Sequence, residues 1–365
     1  MNLLFFAGGS YVGGMEVVLQ ELMVALNTMG HRTLAIVSGW NNGDYPARLR
    51  ARGVPFEELK LGRFYKSRPL WTLNGMRHLP SAVLRLRHLA EDFEIDTVIY
   101  PDLQLFLIGS VILPGRSAIF YEHNDPRCHN RSWLCHAVSK RAAHFVCVSE
   151  FVAAGARSAG VDSRKIAVVH NGIVVPPSLF PLSRNDPVRL GIVGQLLPRK
   201  QHVVLVQALA ILRSRRPLLS FCLKIVGRDD TPYAREVRAS IEKTGMADVV
   251  EWVGFVSSRD QIYRHLDAVI APAIGEPFGT TVLEAGAYGL PVIAARSGGF
   301  PEMVIDGVTG LLFDPGDAMT LVAALEKLLG DPQLQRRLGR GGRTHVQSAF
   351  GTEHMANKFI EIVSR

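Results

Sequence analysis

A chain of 365 residues is too long for one ordinary hydrophobic core and fits two domains of common size, which together imply a cleft. With 47% hydrophobic and 20% charged residues it is neither disordered nor fibrous, and its 4 cysteines, read as reduced thiols, do not make a disulfide framework. The net charge of +8 points to an anionic partner, a phosphorylated substrate or an acidic membrane, while the scatter of basic residues in ones and twos argues against nucleic acid.

In chain order, Leu3 to Ala7 has no basic flank and is too short for a signal peptide, so it reads as a buried first strand of a cytoplasmic protein. A helix follows near Met15 to Met29, then a strand at Thr33 to Ser38, a helix at Pro80 to Glu91 and a strand at Thr97 to Tyr100. The longest apolar stretch, Leu103 to Leu113, reaches about half of a bilayer span. Further strands are predicted at Ala118 to Glu122, Phe145 to Ser149 and Ile166 to His170. Short apolar runs alternating with amphipathic stretches are the pattern of a parallel sheet with helical crossovers.

Val174 to Pro187, with four prolines, reads as a linker. After it the pattern restarts with a strand at Arg189 to Val193, Gly194, a basic loop, a helix at His202 to Arg213 and a strand at Ser220 to Val226. The fold class is therefore α/β, with two Rossmann-like βαβ domains facing across a cleft. Residues 1–176 form the first domain and 177–345 the second, and residues 346–365 hold a last helix, around Thr352 to Val363, that packs back on the first domain.

The sharpest chemical signal is Glu276-Pro-Phe-Gly-Thr-Thr-Val-Leu-Glu284, placed directly after an apolar strand, Ala268 to Ala273. Gly279 makes a tight loop and Thr280 or Thr281 can cap the next helix, so backbone N–H groups and the helix dipole suit a diphosphate. Glu276 and Glu284 can accept hydrogen bonds from sugar and ribose hydroxyls; the plainer alternative is a capping Glu beside an ordinary turn. Gly194-Gln195-Leu-Leu-Pro-Arg199-Lys200 offers a phosphate a cation after a glycine, or is a solvated basic turn. Gly8-Gly9 and Gly13-Gly14 follow the first strand without the Gly-x-Gly-x-x-Gly spacing of a dinucleotide site.

His123, in Glu122-His-Asn-Asp125, ends a strand where it can contact a transferred sugar. The pairs Cys128-His129 and Cys135-His136 invite a zinc reading, but they lack Cys-x-x-Cys, and their seven-residue spacing is what one helix face gives. Asp229-Asp230 reads as a polar turn. Residues 63–71 and the helix carrying Arg77, Arg85 and His88 opposite Leu79, Val83 and Leu86 either rest on anionic lipid at the inner membrane face or form a solvated helix face.

With these residues in place the sequence resembles glycosyltransferase family 4, which has the GT-B fold, over nearly the whole chain. The matching features are Gly13-Gly14 with Glu16, Gly30-His31, Val148-Ser149-Glu150, His170-Asn171-Gly172-Ile173, Gly194 with Lys200, the pair Glu276 and Glu284, and Gly298-Gly299-x-Pro301-Glu302. The resemblance implies a retaining hexosyl transfer from a nucleotide-diphosphate sugar, such as a UDP- or GDP-hexose, to a sugar, glycolipid or small-molecule hydroxyl in cell-surface polysaccharide or glycolipid synthesis. It implies no metal and no further cofactor.

By the same resemblance His123 and Glu276 are catalytic, and Gly13, Gly14, Asn171, Gly194, Gln195, Arg199, Lys200, Phe278, Gly279, Thr280 and Glu284 bind the donor. One departure stands out: the family usually has Arg where this chain has Gln195, with Arg199 positioned to compensate. A nucleotide-sugar epimerase and a non-catalytic donor-binding subunit remain open as alternatives.

Overall fold

The computed structural model describes residues 1–7, 12–61, 69–129, 132–177 and 187–365. Gly8-Gly9, residues 63–68 of the basic stretch and residues 178–186 of the expected linker lie outside them. The chain divides into two compact units, Met1–Gly172 with Thr352–Arg365, and Ile173–Gly351. The structural borders thus fall at Gly172 and Gly351, beside the turns that interrupt the strand and helix pattern, rather than at 176 and 345.

The first unit runs β1 (Asn2–Phe6), α1 (Gly14–Thr28), β2 (Arg32–Ser38), α2 (Asp44–Ala51), β3 (Phe56–Leu59), α3 (Pro69–Asp92), β4 (Thr97–Tyr100), α4 (Leu103–Ile112), β5 (Ser117–Glu122), a 3-10 turn (Pro126–His129), α5 (Ser132–Arg141), β6 (His144–Cys147), α6 (Glu150–Ser158) and β7 (Ile166–Val168). Among the described residues its seven strands are ordered β3-β2-β1-β4-β5-β6-β7 and pair in parallel throughout. The strand order reverses between β1 and β4, as in doubly wound folds. Helices on both faces bury the strands, so Leu3, Leu4, Phe5, Ile99 and Phe145 are wholly inside and the strands read as continuous apolar runs.

Three sequence expectations change. The helix expected from Pro80 begins at Pro69 and carries Pro80 in its interior, so the proline marks no boundary. Ser149 is not strand but the N-cap of α6, its hydroxyl accepting the Val152 amide at 3.1 Å. The two Cys-His pairs do not share a helix: the first ends the 3-10 turn and the second lies in α5, where Cys135 is buried.

The second unit runs β8 (Val188–Val193), a 3-10 turn (Pro198–Lys200), α7 (His202–Arg215), β9 (Phe221–Val226), α8 (Pro232–Thr244), β10 (Val250–Gly254), α9 (Arg259–Tyr263), β11 (Ala268–Ala271), α10 (Thr280–Ala287), β12 (Val292–Ala295), α11 (Phe300–Met303), β13 (Leu311–Phe313), α12 (Ala318–Gly330) and α13 (Pro332–Ala349). Among the described residues its six strands, β10-β9-β8-β11-β12-β13, are all parallel and reverse order between β8 and β11. Ligand crevices in such sheets open at the carboxyl ends of the two strands flanking a reversal. Here those ends are Gly194 and the loop to Glu276.

The chain then returns to the first unit as α14 (Thr352–Val363). Phe359 is fully buried, with its ring 6.2 Å from Phe5 and 5.9 Å from Tyr121. Truncating a buried Phe to Ala removes its transfer energy and leaves a cavity. Phe359→Ala should therefore lower stability by about 3 to 5 kcal/mol in guanidinium unfolding; a loss under about 1 kcal/mol would mean the last helix is not part of this core.

Candidate active site

At the strand reversal of the second unit two loops meet. The first leaves β8 through Gly194, whose amide donates to Val226 O at 2.8 Å, while Leu196 N donates to Arg228 O at 3.1 Å. It ends in the turn that carries Arg199 and Lys200. The second leaves β11 and is tied to the first by Ile274 N donating to Arg199 O at 2.9 Å. That bond joins residues far apart in sequence and sets the cations beside Glu276.

Glu276 is only 9% exposed. Its Oε2 accepts from Arg199 Nη1 and lies 3.0 Å from Lys200 Nζ. Burial alone pushes this carboxyl up, but Lys200 and Arg199 outweigh it and hold Glu276 below the usual carboxylate range, hence ionised. Either cation alone still balances Glu276, whereas removing both would leave an uncompensated buried charge. Lys200 runs past Gly194, where a Cβ would lie 3.5 Å from its Cε. Gln195 is exposed on the same loop.

Beyond Glu276 the backbone turns through buried Phe278 to Gly279, which has φ +95 and is itself the N-cap of α10, without a side-chain cap. This corrects the expectation of a threonine cap: Thr280 and Thr281 open the helix. No side-chain oxygen takes the first-turn amides, although the Val282 amide donates to Gly279 O at 3.1 Å. Gly279 has to be glycine, because a Cβ there would sit 2.3 Å from the Phe300 ring. Gly298, with φ +62, lets its loop lie on the Glu276 backbone, where a Cβ would approach Glu276 O to 2.2 Å, and Gly299 N donates to that oxygen at 2.8 Å.

Glu284 lies a turn into α10 and its two oxygens are engaged separately, Oε1 by Arg259 Nε at 2.9 Å and Oε2 by Tyr263 OH at 2.6 Å. The sequence reading missed both partners, which come from α9, more than twenty residues away. A carboxylate held at both ends presents its remaining lone pairs in a fixed direction, as a bidentate acceptor for two hydroxyls requires.

In the first unit, Gly13 is the N-cap of α1 and its amide donates to Glu16 Oε2 at 2.9 Å, so that donor is satisfied within the protein. Around Gly14 a Cβ would meet nothing within 4 Å among the described residues. Asn171 is buried and its Oδ1 has no hydrogen-bond partner among the described residues. His123 follows β5 directly; its ring stands 4.4 Å from Tyr121 and its buried Nε2 has no hydrogen-bond partner among the described residues. Asp229 pairs with Arg238 at 2.6 Å, and no three metal-ligating side chains cluster among the described residues.

Burial drives His123 down to about 3 and the neighbouring Glu122 carboxyl up to about 7, the latter opposed by the Asn124 amide on its Oε1 at 3.0 Å. Near pH 6 both groups are therefore neutral. Glu122 keeps its proton to about pH 7 when folded and loses it near 4.5 when unfolded, so its contribution falls as pH rises through that window, by about 3 kcal/mol. His123 runs the other way, its contribution being lost as pH falls below 6.5 towards 3. Glu122→Gln should match the wild type near pH 4.5 and gain stability relative to it up to pH 8, read from denaturation midpoints; a constant difference would show that Glu122 is ionised throughout.

A sequence profile described as Glycosyltransferase Family 4 matches residues 12–175, and one described as Glycosyl transferases group 1 matches residues 180–345. The D-inositol 3-phosphate glycosyltransferase of Arthrobacter sp. (strain FB24) is 36% identical over 170 residues, 46% of this chain and 40% of that protein. The protein of the same name from Paenarthrobacter aurescens is 33% identical over 213 residues, 55% of this chain and 52% of that one. The matches thus span about half the length of these relatives or less.

Among solved structures, Anabaena Alr3699/HepE in complex with UDP and glucose superposes with a TM-score of 0.81 over 99% of both chains at 20% identity. Sucrose-phosphate synthase from Thermosynechococcus elongatus does so with 0.80 over 100% and 98% at 20% identity. Two adjoining profiles that together reach from residue 12 to 345, on two doubly wound parallel sheets, place the chain in glycosyltransferase family 4, with the GT-B fold.

Proposed function

We propose that this protein is a retaining, metal-independent glycosyltransferase that takes a hexose from a nucleotide-diphosphate sugar. The observation that carries the reading is the convergence, at one strand reversal, of an ionised buried Glu276, two cations and the uncapped start of α10. Charge develops chiefly on the departing diphosphate, and fixed amides with a lysine stabilise it without reorganising. Lys200 has three donors, so it can keep Glu276 and still meet a phosphate oxygen. In the transfer, the bond from the anomeric carbon to the diphosphate oxygen breaks, the acceptor oxygen bonds that carbon on the same face, and the acceptor's proton passes to the departing diphosphate.

Glu284, steadied by Arg259 and Tyr263, is assigned the ribose hydroxyls, and Glu276 the sugar hydroxyls. The first unit, with Gly14 open at the start of α1 and neutral His123 after β5, is assigned the acceptor and the transferred sugar. The D-inositol 3-phosphate glycosyltransferases among the chain's relatives and the UDP and glucose bound to the Anabaena protein support a nucleotide-sugar donor; a role in glycolipid or polysaccharide synthesis belongs to the same proposal.

Among the described residues no helix is long and apolar enough to cross a membrane. On α3, Leu70, Leu73 and Leu84 are exposed at 77%, 65% and 59% alongside exposed Arg77 and His88, which supports peripheral contact with anionic lipid. Flotation should recover the protein with acidic vesicles at low salt and lose it at high salt; no recovery at low salt removes this contact.

Screening UDP- and GDP-sugars for thermal stabilisation identifies the donor, because a ligand bound only by the folded state raises Tm. With that donor, Lys200→Ala should lower turnover tenfold or more, on the order of 1.4 kcal/mol. Stabilisation by none of these donors, or undiminished turnover in the variant, would contradict the assignment.

A further inference from the structure

The inference rests on the donor site proposed above and concerns Arg199, which has two conceivable uses beside a diphosphate. It can be a second cation for the phosphates, making good the neutral Gln195, or it can set the carboxylate that reads the sugar. The contacts distinguish them. Arg199 Nη1 and Lys200 Nζ both meet Oε2 of Glu276, and among the described residues no hydrogen bond is made to Oε1. The backbone of Glu276 is fixed independently, by the Gly299 amide on its carbonyl at 2.8 Å and by the close approach of Gly298. The Arg199 backbone is fixed as well, its carbonyl accepting the Ile274 amide at 2.9 Å from the loop that carries Glu276.

With the main chain held on both sides and one carboxylate oxygen gripped by two cations, the direction of the other oxygen is determined. Lys200 alone would neutralise Glu276, yet an ammonium on a flexible stem is a point charge that leaves the carboxylate free to rotate. The planar guanidinium of Arg199 adds a directional contact at the same oxygen. Its side chain is 44% exposed, whereas that of Lys200 is 15% exposed, so Lys200 is the buried counter-charge and Arg199 the outer brace.

We infer that Arg199 is a positioning residue for the donor sugar: it turns the Glu276 carboxylate so that Oε1 is presented to the sugar hydroxyls, and it is not a phosphate ligand. Its contribution then belongs to the hexose portion of the donor and not to the nucleoside diphosphate.

Two titrations by calorimetry separate the uses, one with UDP and GDP, the other with UDP-glucose and GDP-mannose, each on wild type, Arg199→Gln and Arg199→Lys. The inference expects Arg199→Gln to bind the bare nucleoside diphosphate within twofold of wild type while binding the matching nucleotide sugar at least fivefold more weakly. Arg199→Lys should recover part of that loss, and the unliganded melting temperature should stay unchanged. An equal loss for nucleoside diphosphate and nucleotide sugar overturns the inference in favour of a phosphate cation, and no loss for either overturns it in favour of a surface ion pair. If wild type binds none of the four ligands, the donor site itself fails, and that result is visible before any variant is compared.

Discussion

A carboxylate taken out of water has to be balanced, and the second unit is arranged around that requirement at Glu276. Two cations from one loop and a glycine-lined turn from another hold it ionised at the point where the parallel sheet reverses its strand order. Balancing one negative charge with two positive ones leaves a local excess, and the start of α10 adds its partial positive charge. In the proposed reading, a pocket of that sign would favour an anionic diphosphate.

The two glutamates of the Glu276–Glu284 segment are supported in contrasting ways. Glu276 has both cations on one oxygen, so one side of its carboxylate is held. Glu284 is gripped on both oxygens by Arg259 and Tyr263, which fixes its plane and leaves the remaining lone pairs for a pair of hydroxyls. The same spacing in sequence therefore gives two different acceptors, one oriented by charge and the other by a hydrogen-bonded frame. In the first unit the logic is burial instead: Glu122 and His123 are both driven towards their neutral forms, which sets an uncharged imidazole at the end of β5.

Much of this was legible in the residues. Continuous apolar runs ending in glycine predict buried parallel strands, and the restart after the proline-rich stretch predicts a second unit; both sheets have the doubly wound order. What escaped was non-local. Arg259 and Tyr263 hold Glu284 from another helix, and no spacing rule connects them. Arg199 reaches Glu276 across 77 positions. Pro80 is read as a helix start because proline favours the first turn, yet α3 passes through it, its core face continuing through Ala82, Leu86 and Leu89. The threonines after Gly279 suit an N-cap by type, but the corner has φ +95 and no room for a Cβ beside Phe300, and glycine meets both demands.

A structure of the protein crystallised with its nucleotide-sugar donor tests the central claim most directly. The account requires the diphosphate to lie within hydrogen-bonding reach of the Gly279 and Thr280 amides and of Lys200 Nζ, with the hexose facing Glu276 and the ribose Glu284. Clear density for the nucleotide away from residues 276–284 would contradict it.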